Sequence, residues 1–261
     1  VSIFIFSYSL KSKAMKTFLI LVLCTLLSVV AFGQQKSKMV DEVQVTPPTF
    51  AGINDIVKIF QEEKLESIAD YLARKVQYPE EALKNKQEGT EVVQFEVTSK
   101  GELTNFNVIN SVSPEIDEAI INLLKATNGM WMPGQNNGEL VAMQKEVSVA
   151  FKYGEFEPFA ESKDFVQLAK LFFEKGNKTL LVNNNPKKAL KYYDRGIRYL
   201  PNEDCLLLAR GMCKYELGDI EGARQDWNRM NVAGIDGKAE NMAEIYSEFK
   251  GFKELTAMLE K

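Results

Sequence analysis

The chain has 261 residues and not one histidine. That absence removes the commonest general base and the commonest zinc ligand. Cysteine is nearly as scarce, with only Cys24, Cys205 and Cys213. Cys205 and Cys213 fall on a stretch that reads as one helix. At the helical rise they stand roughly 12 Å apart, too far for a disulfide. Both read as small buried side chains. A basic surplus is missing as well. The net charge is −4, and residues 34–159 carry 12 basic against 20 acidic side chains. Residues 160–261 are close to balance, with 17 and 16. Phosphate backbones need the opposite sign, so nucleic acid is excluded as a partner. No Gly-x-Ser-x-Gly elbow, phosphate loop or metal-spaced ligand set occurs. Asp117 and Glu118 are adjacent carboxylates, but neighbours on a helix point apart. The expectation is a protein without catalytic residues, metal or cofactor.

What is present is ordinary globular composition, 45% hydrophobic and 26% charged, enough for one or two domains. The N-terminus is different. Lys16 precedes an uncharged run from Thr17 to Phe32, and Ala31-Phe32-Gly33 leads into Gln34-Gln35. A basic residue, an apolar core and small residues before the junction are the parts of a secretory signal, with cleavage expected after Gly33. Met15 reads as the start, and Val1 to Ala14 as an upstream extension. The alternative keeps this run in the membrane as an anchor, although a span needs about 20 residues. Residues 34–54 read as a short polar linker containing Pro47-Pro48.

From Asp55 to Val76 apolar residues recur at helical spacing: Ile56, Ile59, Phe60, Leu65, Ile68 and Leu72. Tyr78-Pro79 interrupts, because proline disfavours helix in the residue before it. Pro79 to Leu83 restarts a helix with carboxylates near its positive end. Glu91 to Thr98 alternates, with Val93, Phe95 and Val97 on one face. Ser99-Lys100-Gly101 reads as a hairpin turn and Leu103 to Ile109 as the return strand. Ser113-Pro114 opens a helix whose apolar face is Ile116, Ile120, Leu123 and Leu124. Trp131 and Pro133 are expected in a loop, with Trp131 and Tyr78 as core anchors. Glu146 to Tyr153 closes the pattern. Val147, Val149, Phe151 and Tyr153 face the core; Glu146, Ser148, Ala150 and Lys152 face outward. The fold class is α+β, a small antiparallel three-stranded sheet with helices on one face.

The ordered set Tyr78-Pro79, Ala82, Gly89, Gly101, the 116–124 helix, Trp131-Met132-Pro133, Gly138 and the 146–153 strand resembles the TonB C-terminal domain family. Pro48-Thr49-Phe50-Ala51-Gly52 looks like a lead-in seen in some relatives. The resemblance covers roughly 100 residues, placed at 55–155, with residues 1–33 as extension and signal and 34–54 as linker. It implies a periplasmic, non-enzymatic interaction module that takes up an extended peptide segment of an outer-membrane receptor or other envelope protein. In that family the last strand receives the segment. Carried over, Glu146, Ser148, Ala150 and Lys152 belong to the receiving strand, and Gln77 and Tyr78 line the approach. Association with a membrane is expected only if the N-terminal run is retained, as in a TonB-type energy transducer.

Residues 160–261 read as an all-α part with a 34-residue offset: Ala189 and Ala223, Tyr193 and Trp227, Asn177 and Gly211, Pro186 and Ile220. That period resembles the tetratricopeptide repeat. The first turn, Asn183-Asn184-Asn185, is one residue longer than usual. Lys238 to Lys261 is expected to cap the array, with Ile245, Phe249 and Phe252 inward. So short an array should pack against the strand domain or need a partner.

Overall fold

The computed structural model describes residues 44–52, 67–153, 163–230 and 245–259. The signal reading and Cys24 lie outside them, as do residues 55–66 of the helix expected over 55–76 and residues 231–244. Among the described residues no helix is long and apolar enough to cross a membrane.

The central sheet has three antiparallel strands in the order β4-β3-β8: β3 is Gly89–Val97, β4 is Leu103–Asn110 and β8 is Met143–Phe151. Beneath it lies the helix α3, Pro114–Lys125. Ser113 caps that helix by accepting from the Ile116 N–H, and Pro114 fits its first turn, where no N–H is needed. Ile116, Ile120 and Leu124 are buried against Val93, Phe95, Val97, Val147, Val149 and Phe151. Helical and strand periodicities thus meet in one core.

Several expectations need correction. The helix α1 runs from Ile68 to Lys75, and the part of the expected helix before Ser67 lies outside the described residues. Ser67 is extended and forms a reciprocal capping box with Asp70, which defines a start at that point. Pro79 is the N-cap of α2, Glu80–Lys84, not its first turn. The linker expected over 34–54 is not a linker throughout. Val45–Thr46 (β1) pairs with Gly134–Asn136 (β6), and Thr49–Phe50 (β2) pairs with Trp131–Met132 (β5). Phe50 is buried, its ring edge-on to Trp131 at 5.4 Å. Trp131 and Met132 therefore form a strand pairing where a loop is expected, and Pro133 alone stays between strands. Asn137-Gly138 then turns β6 back onto β7, Glu139–Val141, with positive φ at both residues. An Asn-Gly pair is the expected solution for such a two-residue hairpin.

The helical part stacks in chain order: α4 (Lys163–Asn177), α5 (Pro186–Tyr199), α6 (Asp204–Glu216) and α7 (Ile220–Asn228). Turns of three or four residues fold each helix back on the last. α5 and α7 begin 34 residues apart, and Ala189, Tyr193, Ala223 and Trp227 are all buried. The correspondence on the first helix of each hairpin shifts by one residue. Gly176, not Asn177, lies under the Tyr193 ring, as Gly211 lies under Trp227; a Cβ at either would stand 2.4 or 2.2 Å from those rings. The extra residue is absorbed as a π turn at Lys178–Val182, which widens the helix locally and keeps the aromatic over its glycine. Asn177 instead accepts from the Tyr193 hydroxyl (2.7 Å). Arg210 grips the buried Asp226 bidentately at 2.7 and 2.8 Å, and Lys214 adds a contact at 3.0 Å, closing α6 on α7. The final helix, α8 (Lys250–Leu259), rests on α6. Ile245 points outward, 47% exposed; Tyr246 and Leu255 fill the core instead.

Because Ala189 and Ala223 are fully buried in the helical core, replacing either with leucine should cost about 1–3 kcal/mol of stability through overpacking. Thermal unfolding checks this; two neutral substitutions would mean the helices are not closely packed at these points.

The sheet does not have helices on one face alone. Val92 faces away from α3 and belongs to neither hydrophobic core, yet it is fully buried. The helical part covers it, and residues 44–261 form one compact unit. Arg198, at the end of α5, is the main joint. It donates to the Glu88 carbonyl (2.8 Å), the Gln87 side-chain carbonyl (2.7 Å) and the Val112 carbonyl (3.0 Å). Gly89 makes room: a Cβ there would lie 2.8 Å from the Arg198 carbonyl oxygen.

Candidate partner-binding edge

β8 has one strand neighbour among the described residues, β3, and so forms an edge of the sheet. Which of its peptide groups face that edge follows from β3. Just past the end of β3, the Thr98 N–H donates to the Glu102 carbonyl, and the Thr90 carbonyl accepts from the Asn110 amide. The even-numbered residues of β3 therefore turn their backbone toward β4, and the odd-numbered ones toward β8. Pairing is unbroken, with Thr90 opposite Ala150, Val92 opposite Ser148 and Gln94 opposite Glu146. Alternation then leaves the N–H and C=O groups of Glu146, Ser148 and Ala150 directed at the open edge. An unpaired row of this kind is a template for a further strand.

The side chains of Glu146, Ser148, Ala150 and Lys152 do face away from the core, as alternation requires, but they are half-buried, not in open solvent. Glu146 accepts from Asn202 Nδ2 (3.1 Å) and stands 3.5 Å from Arg229. Lys152 pairs with Asp164 of α4 at 2.9 Å. The helical part therefore borders this strand, a juxtaposition that sequence pattern could not show. Tyr153 is corrected from core to surface. The strand ends at Phe151, and the Tyr153 ring is 47% exposed with the Lys86 ammonium above it at 5.3 Å. Tyr78 packs edge-on against Phe151 at 5.3 Å, and its hydroxyl donates to the Gln87 carbonyl. Gln77 beside it is exposed. Tyr78 thus packs against the end of the strand, while Gln77 faces solvent. Trp131 is a core residue, with its Nε1–H donating to Thr127 Oγ1 at 3.0 Å.

No group of three or more acidic or cysteine side chains among the described residues is placed to hold a metal. Cys205 and Cys213 are both free thiols. Burial raises the Cys213 thiol to about 12, which keeps it protonated and inert.

An open edge strand on a small antiparallel sheet offers backbone groups that an added strand could pair with. Residues 74–153 match the family described as Gram-negative bacterial TonB protein C-terminal. That match spans the central sheet, α2 and α3, ends with Tyr153, and leaves the helical part outside it. No curated protein and no solved structure matches the chain.

Proposed function

We propose that this protein is a non-enzymatic envelope adaptor that captures an extended segment of an outer-membrane receptor, or of another envelope protein, on the edge of β8. The observation that carries the reading is the row of outward peptide groups at Glu146, Ser148 and Ala150, within a segment that matches the TonB C-terminal family. The helical part acts as a tetratricopeptide-like companion, and its 34-residue spacing with glycine beneath aromatic in both hairpins supports this. Export by a cleaved signal places the protein in the periplasm. An energy transducer would need a spacer between its anchor and the docking module. With β1 and β2 woven into the fold, only residues 34–43 remain for that, reaching at most roughly 36 Å when fully extended. That favours the adaptor.

Proline at Ser148 or Ala150 deletes an outward N–H without touching the core face, and an edge strand tolerates it. Each variant should keep its fold by circular dichroism. Each should lose about tenfold in partner affinity, the worth of one backbone bond and the register it sets. Partners are trapped beforehand by a photo-crosslinking residue at Gln144 in native envelopes. Two folded proline variants with unchanged capture would rule the edge out.

A further inference from the structure

The helical part does more than cover the sheet, because it reaches the margin at which a new strand would arrive. Its chain crosses the outer face in three residues. The Tyr199 carbonyl accepts from Thr90 Oγ1 on β3 at 2.7 Å, and Asn202 then bonds to Glu146 on β8. Beyond Asn202 stands Arg229, at the end of α7, donating to Asn202 Oδ1 at 2.5 Å. Its contact with Glu146, at 3.5 Å, is too long for a good hydrogen bond. Both contacts use Nη2, and no described residue takes the Nε or Nη1 hydrogens of this partly exposed guanidinium. Glu146 Oε1 is already engaged by the Asn202 amide. The result is a cation with spare, forked donors on the outer side of the β8 edge. Next along the strand come Ser148 and Ala150, whose short side chains leave space.

We infer that the receiving site is composite: the β8 backbone pairs with the segment, and Arg229, steadied by Asn202, reads a carboxylate side chain on the segment's outer face. This rests on the edge-docking reading above and adds to it the chemistry of the partner. A guanidinium fork matches a carboxylate better than any other side chain, and charge-assisted bonds of this kind are the stronger ones. The other face of β8 carries Val147, Val149 and Phe151 into the core. The segment should therefore carry its carboxylate on the face that points toward α7.

The test uses the full-length protein and synthetic twelve-residue peptides of alternating valine and threonine. One outer-face threonine is replaced by Asp or by Lys at each register in turn. Fluorescence anisotropy should show one register at which the Asp peptide binds about tenfold more tightly than its Lys counterpart, the usual worth of a bond to a charged group. Arg229→Glu should invert that preference, which an unfolded protein could not do. Ala150→Pro should weaken Asp and Lys peptides alike. If Arg229→Glu leaves the Asp-to-Lys ratio unchanged while Ala150→Pro weakens both peptides, the helical part is not in the site and edge docking stands. If Ala150→Pro has no effect, or no peptide binds, edge docking itself fails and the composite site with it.

Discussion

Gly101→Ala should lower the unfolding free energy by about 3 kcal/mol, a large loss for one methyl group. Two effects add. Gly101 sits at φ +79 in the turn between β3 and β4, a left-handed conformation costing a side chain about 1–2 kcal/mol. A Cβ there would also stand 2.3 Å from the Trp131 carbonyl oxygen. That atom is backbone, in a strand tied to Phe50 and Thr49. It cannot swing aside, so overpacking contributes about 1–3 kcal/mol more. Gly138 provides the control: its φ is +85, but a Cβ there would meet nothing within 4 Å. Gly138→Ala should show the conformational cost alone. Urea denaturation of both variants separates the two causes. Equal losses would mean that the hairpin does not rest on the Trp131 strand.

That contact also shows where the sequence stopped being legible. Glycine at 101 was readable as a turn residue from the alternation on either side. Its second role, as a gap for a carbonyl thirty residues onward, needed the pairing of β5 with β2, and two-residue strands carry too little pattern to announce themselves. The Asn137-Gly138 hairpin does carry a signal, an Asn-Gly pair, but the three-residue strands beside it are too short for their alternation to show. The central strands, the Ser113 cap and the buried face of α3 were readable because each repeats a local period several times. The outward set Glu146, Ser148, Ala150 and Lys152 was readable for the same reason. The bonds that two of these residues make to Asn202, Arg229 and Asp164 were not. They join positions far apart in the chain, as Arg198 and Gly89 do, and no local spacing encodes such a meeting. The π turn lies between these cases: an extra residue before Pro186 was visible, but whether the turn or the helix absorbs it depends on holding Tyr193 over Gly176.

Glu91 yields the other large effect, and of opposite sign: Glu91→Gln should stabilise the protein at neutral pH. Glu91 is fully buried on β3, under the start of α3. Its Oε2 accepts from the Val112 N–H at 2.8 Å, while Oε1 has no partner among the described residues. Burial, with Asp117 nearby on α3, pushes its carboxyl up to about 8 from the ordinary 4.5, and the Val112 N–H only partly opposes this. The folded protein therefore holds a proton that the unfolded chain has lost between pH 4.5 and 8. Across that window stability falls as pH rises, and above it the loss is complete. A carboxamide keeps an acceptor for Val112 and needs no proton, so at pH 7 the variant should gain about 2 kcal/mol. Thermal melts from pH 5 to pH 9 should show a declining wild type and a flatter variant, the two converging toward pH 5. Parallel curves would mean that Glu91 ionises normally in the folded protein. The same change bears on the joint between the two parts, because Val112 gives its N–H to Glu91 and its carbonyl to Arg198. Ionising Glu91 buries a charge beside Val112, where the sheet and α5 meet, so the helical part should loosen at high pH before the sheet unfolds. Hydrogen exchange at the Val112 amide would report that loosening, and Glu91→Gln should abolish it.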